Sequence, residues 1–354
     1  MTALETWVDG AVGETRRAMV RDGRPVMLHV ARWSDAGRRA LWGEVYAARV
    51  RTIDRRLRGA FLDLGLGDAQ GFVRLDAQAR ARTTSGPVAL VEGQAVRALV
   101  RREGVNGKSA VLEVLGPIDG AVSVGRLEHA EGEPAPAADH ATRASIDAAV
   151  EAALAPEAPI PGGGQLFIER TRALVAVDVD AGARPGGRDA EQFALSLNTQ
   201  AAAEAARQLR VRGLGGIVAV DFVSLRDARH RASVVAALKA AVADDPWGVI
   251  VAPMSRFGVV EMSRGQLRAP LADVMCEANG ALSAETIALA GLRGLEREMR
   301  MARGRFLWLT VSPPVFSWLQ RDLIGWRAAL TARIGAHWDV RPDPALTSWR
   351  VEAA

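Results

Sequence analysis

Three aspartates are the residues of this chain best suited to chemistry. Asp178 and Asp180 lie two apart in ALVAVDVDAG, residues 173 to 182, and Asp221 stands near the end of GGIVAVDF, residues 215 to 222. Both segments are apolar runs of strand type, and residues two apart on a strand point to the same face. Carboxylates gathered this closely repel one another unless a cation sits among them. A hard cation such as Mg²⁺ takes one or two carboxylates and fills its shell with water and substrate phosphate. The trio therefore predicts a metal-dependent phosphoryl-transfer site. The plainer alternative is that acids at strand ends are solvated or cap the following helix; it accounts well for one aspartate and poorly for three together.

The elements that position these acids follow from the hydrophobic pattern. Strands at 173–180, 216–223, 248–252 and 258–262 alternate with helices at about 189–210 and 227–243, which predicts an α/β core. Before it, residues 38–117 form β-rich runs separated by Gly and charged turns, and five such runs suit a small OB-type barrel. Residues 1–35 read as short strands with a turn at 22–25. Residues 119–145 are rich in Ala, Pro, Gly and acids and read as a linker, followed by a short helix at 145–155. A tail adds a helix at about 282–301, a strand at 305–311 and a helix at 314–334. The predicted architecture is thus multidomain, mixing α+β and α/β: N-terminal strands (1–37), an OB-type barrel (38–118), an acidic linker with a short helix (119–160), an α/β domain carrying the acids (161–275) and a small α/β tail (276–354).

Charge separates these parts. The chain has a formal net charge of +4, nearly all of its basic residues being Arg, with Lys108 and Lys239 the only lysines. Arginine keeps its charge and presents a planar fork suited to phosphate oxygens, although codon bias explains most arginines equally well. The barrel segment 38–116 has 14 basic and 8 acidic residues, whereas 119–160 sets eight acids against Arg126 and Arg143. A basic barrel suits a polyanion. Phe61 and Phe72, in GAF and GFV on neighbouring runs, offer two rings for stacking on unpaired bases, with Lys108 nearby to meet phosphate; core packing of the two rings fits the pattern as well. Arg207, Arg210 and Arg212 end the helix NTQAAAEAARQLRVRGLGG, where the helix dipole favours cations, and Asn198 is a polar residue able to face the acid strand. Five tryptophans, 308, 318, 326, 338 and 349, lie in the tail and are read mainly as core. The single cysteine, Cys276, excludes an internal disulfide and fits a reducing compartment, and no apolar run is long enough for a membrane span, so a cytoplasmic protein is expected.

Three ordered blocks, PGGGQLFIERTRALVAVDVDAG (161–182), NTQAAAEAARQLRVRGLGGIVAVDF (198–222) and SRFGVVEMSR (255–264), closely resemble the ribonuclease E/G family, and GAFLDLGLGDAQGFVRL resembles its S1-like RNA-binding barrel. The resemblance implies an endoribonuclease that cuts single-stranded RNA by Mg²⁺-assisted hydrolysis, with Mn²⁺ as a substitute, leaving 5′-phosphate and 3′-hydroxyl ends. It puts the metal ligands on Asp178 and Asp221, with Asp180 as their polar neighbour where many relatives have Asn. It puts the RNA-contacting aromatics on Phe61 and Phe72 and the basic loop residue on Lys108; Asn198 joins the catalytic set and Arg207 and Arg210 the RNA-binding set. A 2′-hydroxyl attack would want a His acid/base pair, and the five histidines are scattered. The rival readings are a non-catalytic RNA-binding protein of the same fold and a small-molecule phosphohydrolase, the latter leaving the basic barrel without a use.

Two departures from the family stand out. Its shared zinc is held by a CPxC segment, but MCEANG supplies only Cys276, with Asn279 in place of the second thiolate, and structural zinc wants four Cys or His ligands. A structural zinc is therefore not expected, and any homodimer must form through other surfaces. The interval that carries the 5′-monophosphate pocket in longer relatives is reduced to the acidic linker, so little response to the RNA 5′ end is expected.

Overall fold

The computed structural model describes residues 4–354 except 68, 84–85, 105–107, 129–134, 183–189 and 303. An antiparallel N-terminal sheet comprises β1 (Glu5–Ala11), β2 (Glu14–Arg21) and β3 (Arg24–Arg32) in that order. Asp22 and Gly23, both at positive φ, make the two-residue turn between β2 and β3, a geometry whose twist matches the flanking strands.

The next strands are β4 (Val45–Asp54), β5 (Gly59–Leu66), β6 (Ala69–Arg74), β7 (Arg80–Thr83), β8 (Gly86–Ala89), β9 (Ala95–Arg102), β10 (Ala110–Pro117) and β11 (Gly125–Glu128). Five of them close a barrel in the order β4-β5-β6-β10-β9 and back to β4, with β6 and β10 parallel. This is the strand arrangement of an OB-type fold. Alternate residues such as Ala60, Leu62, Leu64, Val96, Ala98 and Val100 fill its interior, as the two-residue period of a strand requires. The hairpin β7–β8 stands beside the barrel. Strand β11 pairs with β4, so part of the segment expected to be linker is barrel edge; a run of four residues without apolar alternation carries no strand signal of its own.

The α/β layer contains α1 (His140–Leu154), β12 (Glu157–Pro159), β13 (Gln165–Arg170), β14 (Val175–Asp180), α2 (Ala190–Arg212), β15 (Gly216–Asp221), α3 (Ala228–Ala241), β16 (Val249–Val251), β17 (Val259–Arg264) and α4 (Leu271–Met275). Helix α1 begins five residues before the position its apolar spacing suggested, because Asp139 caps it by accepting from the Thr142 amide at 2.8 Å. The sheet order is β12-β13-β14-β15-β17-β16, and only β14–β15 is parallel. Strands β12 and β13, on either side of the Pro- and Gly-rich turn 159–164, are additional to those the apolar pattern predicted. The side chains of Val175, Val177, Val179, Val218, Val220, Val260 and Met262 are buried with α2 and α3 in one core, while the opposite face exposes Glu169, Asp178, Asp180, Ile217, Asp221, Glu261 and Ile250. All the chemistry-bearing acids are on that open face.

The tail consists of α5 (Ala284–Met301), β18 (Leu307–Val311), α6 (Pro313–Arg321), α7 (Trp326–Ile334), β19 (Trp338–Pro342) and β20 (Trp349–Ala353). The single helix expected over 314–334 is two helices, since Asp322 and Gly325 adopt left-handed backbone between them. Trp326 and Trp338 are buried, and Trp349 lies over Gly294, where a Cβ would come within 2.4 Å of its ring. The β1–β2 turn holds the tail in place: Val12 belongs to the tail's apolar core, and a Cβ on Gly13 would lie 2.2 Å from Leu289. A buried ionic cluster ties α1, the N-terminal sheet and the tail together, Arg143 of α1 reaching Asp9 at 2.9 Å and Glu296 at 3.1 Å, while Arg16 and Arg293 both meet Glu14. Burial works against the Glu14 carboxylate, yet Arg16, Arg293 and Arg32 outweigh it and hold its pKa below the usual range.

Candidate active site

The parallel pairing of β14 with β15 puts Asp178 directly beside Asp221. Both are exposed at the carboxyl ends of their strands, the end of a parallel pair at which α/β sheets characteristically bind ligands. Partial burial and the neighbouring Asp178 charge push the Asp221 carboxyl above the usual carboxylate range. Two oxygen donors that resist being charged together form a donor set that a divalent cation relieves. Asp180 lies one step further along the same face; its Oδ1 accepts from the Gly182 amide at 2.9 Å. Among the described residues no three His, Cys, Asp or Glu converge as a metal-binding group, so the close unit is the pair Asp178/Asp221, and Asp180 stands beside it.

Asn198 occupies a different position from the one expected of a catalytic group. It is fully buried on α2, behind the sheet; its Nδ2 donates to the Val223 carbonyl at 2.7 Å and its Oδ1 accepts from the Val223 amide at 3.0 Å. Both ends of the amide are thus engaged in holding the chain two residues past Asp221. A side-chain amide can donate to the carbonyl and accept from the N–H of one residue at once, so Asn198 positions the chain that leaves β15.

Arg207 and Arg210, expected among the RNA-binding residues, are engaged with neighbouring groups of the protein. Arg207 pairs with Glu204 and donates to the Pro25 carbonyl at 2.8 Å; Arg210 donates to the Ala241 carbonyl at 3.0 Å and to Asp244 at 3.2 Å. Helix α2 packs between the sheet and β3, so its terminal arginines pair with the buried Glu204, the exposed Asp244 and nearby carbonyls on the side away from the open face. The third member, Arg212, donates to Gln208 and to the Ala155 carbonyl.

On the barrel, Phe61 and Phe72 are register partners on β5 and β6, with ring centroids 5.3 Å apart in an edge-to-face arrangement. Both are half-buried and alternate with the interior residues Ala60, Leu62 and Val73, so the pair lies on the outside of the barrel. Gly59 makes room for it, since a Cβ there would sit 2.1 Å from the Phe72 ring. Lys108 is elsewhere, on a cavity between the barrel and the α/β sheet.

One feature had no role in the sequence reading. The turn 255–258 abuts the carboxylates: a Cβ on Gly258 would lie 3.9 Å from Asp221 Oδ1. At its tip Phe257 is 73% exposed, with the Arg256 guanidinium 4.7 Å from its ring centre. An exposed aromatic with a cation stacked on it, next to two acids, is suited to hold a base and a phosphate. The signal was an apolar aromatic inside the Gly-terminated turn SRFG.

The family model for the ribonuclease E/G family matches residues 123–267, which contain β11 through β17 and every one of these carboxylates. Ribonuclease E of Escherichia coli (strain K12) is 34% identical over 184 residues, covering 50% of this chain, and ribonuclease E of Haemophilus influenzae is 37% identical over 160 residues, covering 43%. Residues 123–267 of this chain are thus similar to the ribonuclease E/G family. Ribonuclease G of Escherichia coli (strain K12) is 34% identical over 131 residues, covering 37% of the chain. The chain spans 17% of the length of either ribonuclease E relative and 27% of that ribonuclease G.

The second half of SRFGVVEMSR has a structural role here. Arg264 is buried, donates to Asp245 at 2.8 Å and to the Leu214 carbonyl at 2.6 Å, and lies 4.0 Å from the Trp247 ring centre. It anchors the end of β17 to the loop that leads into β15. In MCEANG, the Asn279 side chain closes a turn by accepting from the Ala281 amide at 3.0 Å, and burial pushes the Cys276 thiol up.

Proposed function

We propose that this chain is an endoribonuclease that hydrolyses single-stranded RNA with a divalent cation, Mg²⁺ by preference and Mn²⁺ as a substitute, held by Asp178 and Asp221. The observation that carries the reading is the side-by-side placement of these two carboxylates on the open face of a sheet within the family segment. When bound, the cation would neutralise charge on the scissile phosphate and acidify a bound water. The protein's own contribution is geometric. The β14–β15 register holds the two acids, the Asn198 clamp on Val223 fixes the chain leaving β15, and the free side of Asp180 orients the attacking water. The water oxygen bonds to phosphorus, the P–O3′ bond breaks, and the 3′-oxygen leaves with a proton, giving 5′-phosphate and 3′-hydroxyl ends.

Phe61 and Phe72 are assigned to base stacking and Lys108 to a phosphate. Zinc has no part in the assignment, any homodimer uses other surfaces, and the lone cysteine favours the cytoplasm. Among the described residues no helix is long and apolar enough to cross a membrane. The test is incubation of the purified chain with end-labelled single-stranded RNA in Mg²⁺, in Mn²⁺ and in chelator, followed by ligation assays of the product ends. Metal-dependent cuts bearing 5′-phosphates support the proposal; tight binding without cuts in either metal would favour the non-catalytic reading.

A further inference from the structure

A cavity of about 250 Å³ lies where the barrel meets the α/β sheet, lined on the barrel side by Arg102 and Lys108 and on the sheet side by Arg170, Arg172 and Gly216. The seam is fixed by direct bonds: the Glu103 amide donates to the Leu267 carbonyl at 2.8 Å, and Glu103 Oε2 accepts from the Ala269 amide at 2.9 Å. Glu103 also lines the cavity, but its carboxylate is buried and already pairs with Arg39 at 3.0 Å and accepts from the Trp42 amide. Arg170 is neutralised by a two-pronged contact with Asp273. Arg102, Lys108 and Arg172 are exposed and have no carboxylate partner among the described residues. Most arginines of this chain are paired, so three uncompensated cations converging on one cavity from two domains form an anion site.

The cavity includes Val175 and Gly216, the first residues of β14 and β15, and the carboxylates stand near the other ends of the same two strands. At roughly 3.3 Å per residue the separation along the open face is on the order of 10–16 Å, a length that a few nucleotides of extended single strand cover. We infer that this cavity is a phosphate subsite for the RNA strand, seating an internal phosphodiester upstream or downstream of the cut so that the strand lies along β14 and β15 with its scissile phosphate at Asp178 and Asp221. The inference rests on the endoribonuclease reading and adds Arg102 and Arg172 to the RNA-binding residues.

The experiment measures affinity for a single-stranded RNA over a range of salt, in an Asp178→Asn background that keeps the RNA intact, with and without Arg102→Gln/Arg172→Gln. Removing two phosphate-binding cations should lower affinity about tenfold or more at low salt and flatten the slope of log affinity against log salt by about 1.4, about 0.7 per cation on a single strand. Arg102→Lys/Arg172→Lys, which keeps the charge, should retain the slope, and melting temperatures should agree because neither side chain has a partner to lose. Arg305→Gln/Arg321→Gln on the exposed tail measures the effect of net charge alone. If the cavity variant matches this control while the wild-type chain cuts RNA, the cavity assignment is wrong and the nuclease reading stands. A wild-type chain that binds no RNA overturns both. Each arm is run with 5′-hydroxyl and 5′-monophosphate RNA; equal losses support an internal phosphate, and a loss confined to the 5′-monophosphate RNA overturns it in favour of a terminal one.

Discussion

Asp178 and Asp221 are direct neighbours across the parallel pairing of β14 with β15, and partial burial together with the Asp178 charge raises the Asp221 pKa. Asp178→Asn and Asp221→Asn should each lower the cleavage rate by several powers of ten while leaving RNA affinity nearly unchanged, since each removes a cation ligand and no binding surface. A rate within about tenfold of wild type in either variant would sink the assignment.

The same relationship has a consequence for stability. A carboxyl whose folded pKa is raised binds its proton more tightly in the folded state, so the folded protein loses stability as pH rises from the ordinary carboxylate range through the raised value. Without metal, Asp221→Asn should therefore melt higher than wild type at neutral pH. Mg²⁺ should raise the melting temperature of wild type and not of the variant, because only the former has the full ligand pair. Thermal scans with Mg²⁺ and with chelator decide it.

Asn198→Ala should leave both the amide and the carbonyl of Val223 buried without a partner, at a cost of about 1–3 kcal/mol each. A lowered melting temperature together with slower cleavage and unchanged RNA affinity is expected. Unchanged stability would mean that the clamp does not hold the chain beyond Asp221.

Phe61→Ala and Phe72→Ala should each weaken single-stranded RNA binding by roughly 1–3 kcal/mol, the worth of a base stacked on a ring. Their position outside the barrel core predicts a small change in melting temperature. Normal affinity with clear thermal destabilisation would return the two rings to a packing role.

Glu14→Gln tests the ionic cluster that joins the N-terminal sheet to α5. Removing one charge from a buried set costs about 3–5 kcal/mol because Arg16 and Arg293 lose their buried partner and keep only the half-exposed Asp147. Since the folded Glu14 pKa is lowered, its contribution is present above the ordinary carboxylate range and is lost as pH falls through the folded value. Acid titration of the wild type should loosen the tail before the barrel, followed by hydrogen exchange in α5 and β5.

The local pattern of the chain determined much of this protein. The two-residue period of β5, β6, β9 and β10 specified a barrel with an apolar interior, and the apolar runs ending in Asp178 and Asp221 specified two strands with acids at their ends, because side-chain alternation is a property of the strand itself. The tertiary structure alone decided which partners those strands take. Parallel pairing of β14 with β15 is what makes Asp178 and Asp221 neighbours, and no spacing along the chain contains it. Packing decided the rest: Asn198, Arg207 and Arg210 have the polar chemistry of site residues, yet α2 lies behind the sheet, where nearby backbone groups, Glu204 and Asp244 take up their donors. Arg102 and Arg172, ordinary arginines in the sequence, become a site because two domains meet there and supply no carboxylate to either.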